Sequence, residues 1–179
     1  MDDAGERIWI VSFWSSFIFM WQGDPVRAES ELRPGYDALK KIGEKSHFSS
    51  ISHALSNALY MQGRDDEAEA LTRECEEASR SNDIHSHILW RSTRAKVLAR
   101  RGDVAAAETL AREAVAFASG SDFLVAHADA LADLAEVLEV AGRRDEGVRA
   151  LRSAIDLHER KDNVLAVGRA RRRLDELLV

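Results

Sequence analysis

Histidine and cysteine, the side chains that most often bind metals or act as nucleophiles, are poorly placed for chemistry in this sequence. Six histidines and one cysteine occur among 179 residues. His85 and His87 would point about 200° apart on a helix, and no histidine pair has the three- or four-residue spacing of a helical metal site. Nothing around Cys75 indicates a nucleophile, and no phosphate-binding glycine loop or nucleophile elbow occurs. We predict no catalytic residue, no metal site and no cofactor, and therefore a protein that is not an enzyme.

Two arginines stand on a helix face that should pack against other helices. Arg91 and Arg94 follow Trp90, at positions where equivalent segments of the chain carry Leu or Ser. Because an unpaired buried charge is costly, these arginines need acidic partners. The candidate partners are Asp83, Asp122, Asp129 and Asp133. We predict a structural ion network of Arg91, Arg94, Asp122 and Asp133; an anion site at the two arginines is the alternative.

The elements that position these residues repeat along the chain. Gly23, Gly63, Gly102 and Gly142 are spaced by 40, 39 and 40 residues. A small residue follows each glycine by five positions, and a large apolar residue precedes it by four. A fixed period of this size is typical of helical repeats. Each glycine therefore predicts the left-handed turn of an antiparallel helix hairpin, and Asp24 and Asp103 should cap the helices that follow two of these turns.

A second set of turns separates the hairpins, and Asp83 and Asp122 are expected to cap the helices after them. The sequence thus predicts an all-α fold with helices at 6–21, 24–41, 48–62, 65–80, 84–101, 104–119, 123–141, 144–160 and 163–178. We expect one helical-repeat domain over residues 1–179, with four hairpins of period about 40 at 6–43, 47–82, 83–121 and 122–162. The last helix, 163–178, is polar enough to cap the array.

Composition excludes several classes of function. Hydrophobic residues make up 45% and charged residues 31% of the chain, which is typical of a folded globular protein. The net charge of −6 argues against a general nucleic-acid binder, which needs a basic surface. A single cysteine permits no intrachain disulfide and favours a cytoplasmic location.

The segment Ile8–Trp21 is apolar on nearly every side, with 11 apolar residues in 14. It is shorter than the ~20 residues of a membrane-spanning helix, and its acidic flank is unlike that of a signal peptide. We predict a buried helix and no membrane association. A helix apolar all round must be covered on two sides, so the uncovered side predicts a homodimer or contact with a missing upstream domain. The predicted contact residues are Trp9, Phe13, Trp14, Phe17, Met20 and Trp21.

The spacing of Ala95, Leu98, Gly102 and Ala107 resembles the tetratricopeptide repeat, with the period lengthened from about 34 residues. More narrowly, segments 89–102, 121–124 and 133–138 resemble the C-terminal repeat region of large bacterial signalling ATPases that carry a cyclase or DNA-binding domain. The resemblance covers roughly residues 15–178 and implies a tetratricopeptide-like right-handed solenoid that contacts partners. It does not imply ATPase or cyclase activity, because the sequence has neither a P-loop nor a cyclase-like pair of carboxylates.

In the tetratricopeptide fold the first helix of each hairpin lines a concave groove. By this analogy the predicted partner-groove residues are His53, Asn57, Tyr60, Lys96, Arg100, Glu136 and Glu139. Such a groove suits an extended peptide or a docked helix, although plain solvated helix faces would give the same pattern. We predict a non-enzymatic scaffold or regulatory module for protein–protein interaction, related to a bacterial signalling or transcription-regulating protein. The alternative is a module that senses a ligand or peptide in the groove.

Overall fold

Helices account for almost all of the chain that the structure describes. The computed structural model describes residues 3–179, apart from the side chains of residues 3–8 and of Trp21. The helices are α1 (Asp3–Gln22), α2 (Pro25–Ile42), α3 (Ser46–Met61), α4 (Asp65–Ala78), α5 (Ile84–Arg100), α6 (Val104–Ser119), α7 (Leu124–Val140), α8 (Arg144–Glu159) and α9 (Val164–Leu178). No strand occurs within residues 3–179. The predicted all-α fold is confirmed.

The four repeat glycines lie in the tight turns that join α1 to α2, α3 to α4, α5 to α6 and α7 to α8. Their φ angles, from +70° to +88°, are left-handed, a conformation that a Cβ would penalise. After two of these turns an aspartate caps the next helix, as predicted. The Asp24 carboxylate accepts from the Arg27 N–H at 3.0 Å, and Asp103 accepts from the Ala106 N–H at 3.3 Å.

The turns between hairpins agree with the prediction at one position and differ at another. Asp83 caps α5 by accepting from the Ser86 N–H at 3.1 Å. The expectation that Asp122 caps α7 is wrong, because Phe123 occupies the cap position and makes no side-chain cap bond. The hydroxyl of Ser121 accepts from the N–H of Phe123 itself at 3.3 Å.

The chain divides into two compact units, Met1–Ser86 (unit 1) and His87–Val179 (unit 2). Unit 1 contains the hairpins α1–α2 and α3–α4, and unit 2 contains most of α5 together with α6 to α9. Branched and aromatic side chains dominate the core of unit 1: Leu32, Tyr36, Leu39, Ile51, Leu55 and Leu59. Alanines take a larger share of the core of unit 2: Ala95, Ala107, Ala111, Ala114, Ala118 and Ala135, with Leu134, Val137 and Leu138.

Gly35 marks the closest approach of α2 to α1 and α3 within unit 1. A Cβ added to Gly35 would lie 2.7 Å from the Ile51 Cδ1, and 3.1 Å from both the Ser12 Cβ and the Trp9 Cα. Ser12 and Ser16 are themselves buried, so α1 also presents small side chains at this contact. The lack of side-chain volume allows the helices to pack closely.

A four-residue ion cluster joins the two hairpins of unit 1. Arg64, just after the Gly63 turn, contacts Glu29 on α2 at 2.7 Å and Glu67 on α4 at 2.6 Å. Arg33 contacts Glu29 at 2.7 Å. Partial burial acts to raise the pKa of Glu29, but hydrogen bonds from Arg33, Gln62 and Arg64 outweigh it and lower that pKa. The Glu29 carboxylate is thus the centre of the cluster.

Unit 2 contains the same cluster, 79 residues further along the chain. Glu108 on α6, Arg112, Arg143 after the Gly142 turn, and Glu146 on α8 correspond one by one to Glu29, Arg33, Arg64 and Glu67. Arg112 contacts Glu108 at 2.7 Å and Glu146 at 3.0 Å, and Arg143 bridges the same two carboxylates. Hydrogen bonds from Arg112 and Arg143 lower the pKa of Glu108. In both units the cluster ties the second helix of one hairpin to the turn of the next.

Candidate partner-binding face

Four carboxylates follow one another along α7 at helical spacing. We call Asp129, Asp133, Glu136 and Glu139 the α7 acidic row. Intervals of four and three residues place the first three on one helix face, with Glu139 at its edge. Asp129 is exposed and the other three are partly exposed, so the row faces solvent along part of its length.

Lys96 on α5 pairs with Asp133 in this row. The Nζ of Lys96 lies 2.8 Å from the Asp133 Oδ1, and the two side chains are 8% and 24% exposed. Burial lowers the pKa of Lys96, but the charges of Asp133 and Glu136 outweigh it and raise that pKa above its ordinary value. Lys96 is one of the predicted partner-groove residues; most of its side chain is buried, and its ammonium group pairs with Asp133.

Burial and neighbouring charges shift the pKa of Asp133. Burial raises the pKa of the Asp133 carboxyl; Lys96 opposes the shift, while Glu136 and Asp129 add to it, and the result is a pKa of about 6. Burial is the largest cause of this shift, and the two neighbouring carboxylates add to it.

Two more groups border the row. Arg173 on α9 forms ion pairs with Glu139 of the row and with Glu176 on its own helix, the latter at 3.0 Å. The imidazole Nε2 of His158, buried on α8, lies 3.4 Å from the Asp129 Oδ1. The acidic row is thus contacted from α5, α8 and α9, all within unit 2.

Arg91 lies in an aromatic cage on the other side of α5. Its guanidinium carbon is 4.0 Å from the Trp90 ring centroid and 4.7 Å from that of Phe117, and the Arg94 guanidinium carbon is 4.4 Å from the Trp90 centroid. The Nε of Arg91 contacts Glu113 at 3.0 Å. Stacking between rings with a carboxylate at the edge accounts for both charge and packing of Arg91.

The predicted ion network as a whole stays a prediction. The carboxylate that Arg91 contacts is Glu113 on α6, which was not among the aspartates considered. Asp133 contacts Lys96, and Asp122 is exposed in the loop before α7. A sequence signal did exist for the cage, since Phe117 and Glu113 lie four residues apart on α6 and so on one face.

The predicted groove residues of unit 1 lie on α3. His53 and Asn57 are partly exposed, whereas the Tyr60 side chain is only 5% exposed and belongs to the core. A partner contact through Tyr60 would reach little of its surface. Arg100, at the end of α5 in unit 2, is exposed. The partner groove as a whole stays a prediction.

The first helix divides its apolar residues between a packed side and an open side. Trp9, Phe13, Phe17 and Met20, four of the predicted contact residues, are partly buried, and Phe13 and Phe17 stack edge to face at 5.0 Å. Trp14 is 63% exposed. The side chain of Trp21 lies outside the described residues. Three further exposed residues were missing from the prediction: Ile10, Val11 and Ile18.

A cavity of about 460 Å³ opens at the edge of unit 1 where α2 ends and α3 begins. Leu39, Phe48 and Ala78 form its apolar part, and its rim carries both lysines and glutamates. On this rim the Tyr36 hydroxyl donates to the Glu74 carboxylate at 2.7 Å. None of the predicted groove residues lines this cavity.

The described part of the chain contains neither a metal-holding cluster nor a membrane-spanning helix. Residues 3–179, as far as their side chains are described, contain no group of three or more His, Cys, Asp or Glu arranged to hold a metal ion. None of the helices described there is both long enough and apolar enough to cross a membrane.

Three solved structures have similar backbones. A Podosopora anserina putative kinesin light chain with nearly identical TPR-like repeats aligns with a TM-score of 0.61 at 17% identity, covering 99% of this chain and 94% of that one. BtubC (BKLC) from P. vanneervenii aligns at 0.58 and 13%, covering 90% and 76%. MamA from Desulfovibrio magneticus RS-1 aligns at 0.54 and 17%, covering 99% and 96%.

These identities show the fold alone. No protein-family model and no curated protein matches the chain. The chain therefore has an all-α repeat fold of the TPR-like class, and the resemblance seen in the sequence is confirmed at that level.

Proposed function

We propose that this chain is a non-enzymatic interaction module that binds a basic segment of a protein partner along the α7 acidic row. The observation that carries the proposal is the position of Asp133, whose carboxyl lies among Glu136, Asp129 and Lys96. A cationic side chain laid across the row would lower the cost of ionising Asp133, so binding is favoured by charge already present.

The helical spacing of the row limits what the partner looks like. Asp129 and Glu136 are seven residues apart on α7, which separates them by about 10 Å along the helix axis. In a polyproline II segment, residues three apart lie on the same side and span a similar distance, at about 3.1 Å per residue. A segment with Lys or Arg at every third position, or an amphipathic helix with a basic face, matches this spacing.

We also propose that the chain is related to the C-terminal region of bacterial signalling ATPases. This relation rests on segments 89–102, 121–124 and 133–138. A P-loop segment in frame upstream of Met1 in the gene would support it. The ligand-sensing alternative would place a small molecule or peptide on the same helix faces.

A binding titration tests the proposal directly. Fluorescence anisotropy would follow a fluorescein-labelled peptide with Lys at every third position, and a peptide with Glu at those positions serves as the ligand control. We expect Glu136→Gln to weaken binding of the Lys peptide about fivefold, the effect of one partly exposed ion pair, and added salt to weaken it further.

Asp156→Asn is the matched protein control, because Asp156 is an exposed acid on α8 of the same unit, away from the row. It removes the same charge and should leave binding nearly unchanged. Equal affinity for the Lys and Glu peptides, or equal losses in the two variants, would refute the acidic row as the binding face.

A further inference from the structure

Four exposed apolar side chains form one row on α1. We call Ile10, Val11, Trp14 and Ile18 the α1 apolar stripe; they are 38%, 63%, 63% and 51% exposed. Within the described side chains, no other helix carries as many large exposed apolar residues. A row of this kind, open to water, marks an interaction surface.

The stripe contains no charge that a partner would have to match. From Ile8 to Gln22 the sequence has no Asp, Glu, Lys or Arg. The occupant should therefore be an uncharged apolar helix face, because a charged residue buried against the stripe would lose its hydration without a counter-ion. The stripe itself is the one face of this composition among the described helices.

The pattern of the stripe is also symmetric about Trp14. Ile10 precedes Trp14 by four residues and Ile18 follows it by four. When two copies of α1 pack antiparallel with the two-fold axis at Trp14, Ile10 meets Ile18 of the other copy. Self-complementarity of this type is what an isologous dimer contact requires.

From these observations we infer that α1 is a homodimer contact: two copies of the chain pack their α1 apolar stripes antiparallel, with Trp14 at the two-fold axis. Four exposed side chains offer less than the ~800 Å² per partner of a standard interface, so the dimer is weak and depends on concentration.

Sedimentation velocity on the full chain across the micromolar range tests the oligomeric state. We expect a monomer–dimer equilibrium and, for Trp14→Glu, a dimer dissociation constant raised by about 30-fold, the effect of removing one central aromatic residue. Val26→Glu is the matched control, because Val26 on α2 is 62% exposed and lies off the stripe; it should dimerise as the unaltered chain does. Circular dichroism confirms that both variants remain helical.

Disulfide trapping tests the antiparallel register. The variants carry Cys75→Ala, which removes the one native thiol. Trp14→Cys should form a covalent dimer on its own, whereas Ile10→Cys should require mixing with Ile18→Cys, because only the antiparallel arrangement brings those two positions together. A chain that stays monomeric throughout, a dimer insensitive to Trp14→Glu, or Ile10→Cys linking efficiently to itself would each overturn the inference. A monomer would mean that another protein or segment covers the stripe.

Discussion

Units 1 and 2 share their ion clusters and differ in the first helices of their hairpins. Glu29 and Arg64 of unit 1 match Glu108 and Arg143 of unit 2 in position and in contacts. The first helices, by contrast, carry an uncharged apolar stripe on α1 and an acidic row on α7. The turns and second helices therefore preserve what holds the hairpins together, and the first helices carry the two surfaces that we propose for partners.

The largest effect expected from a single substitution is in unit 2. Lys96→Ala removes the cation closest to Asp133 and leaves a mostly buried carboxyl among other acids, which should lower the free energy of unfolding by about 3 kcal/mol at neutral pH. Chemical denaturation measures this loss. Lys45→Ala, which removes an exposed lysine in unit 1, is the control and should change stability little.

The destabilisation caused by Lys96→Ala should become smaller as the pH falls. The pKa of Asp133, about 6, lies above its ordinary 3.8, so its stabilising contribution is complete below 3.8 and is lost as the pH rises through 6. Without Lys96 that pKa rises further, and the destabilisation should shrink as Asp133 becomes protonated. A loss that stays constant from pH 7 to pH 5 would show that Lys96 contributes through packing and not through Asp133.

A somewhat smaller effect is expected at the helix crossing of unit 1. Gly35→Val places atoms where the Ile51 side chain and the α1 backbone already lie, and should destabilise the protein by about 2 kcal/mol. The equivalent residue of unit 2 is Ala114, whose Cβ is accommodated in the core. Gly168→Val on α9 is the control, because nothing lies within 4 Å of the Cβ position there. Thermal unfolding measures both variants, and equal losses of melting temperature in Gly35→Val and Gly168→Val would contradict the close helix crossing.

The smallest losses of stability are expected when the central glutamate of each ion cluster is replaced. Glu29→Gln should cost about 1 kcal/mol, because the Glu29 side chain is only 14% exposed, and Glu108→Gln should cost less. Since the pKa of Glu29 is lowered, its contribution is present above the ordinary value of 4.5 and is lost as the pH falls through the folded-state pKa. Urea denaturation at pH 7 and pH 3 measures both differences; a larger loss for Glu108→Gln would reverse the ranking.

The sequence predicted the helices well because their ends depend on local chemistry. A left-handed turn selects glycine at position 23, 63, 102 or 142, and Asp24, Asp83 and Asp103 cap helices through their own carboxylates. Asp122 is not the cap because α7 begins one residue later than predicted, which puts Phe123 at the cap position.

The contacts between helices were harder to predict because they depend on side-chain direction and burial. Lys96 was predicted to line the partner groove, and the structure shows that its ammonium group forms an ion pair with Asp133. Arg91 was given an aspartate partner, although Phe117 and Glu113 on α6 provide a cage. The ion clusters were not predicted because each is divided between two hairpins, and a comparison of four equivalent hairpins does not bring its members together.

The residue after the turn glycine alternates along the chain, and this alternation limits how the chain can change in length. Aspartate follows the turn glycine in the first and third hairpins, and arginine follows it in the second and fourth. The true unit of repetition is therefore a pair of hairpins, 79 residues long, and not the single hairpin that the glycine period suggests. Gain or loss of one hairpin would set an arginine beside the wrong neighbour, whereas gain or loss of a pair would leave every cluster with its proper members.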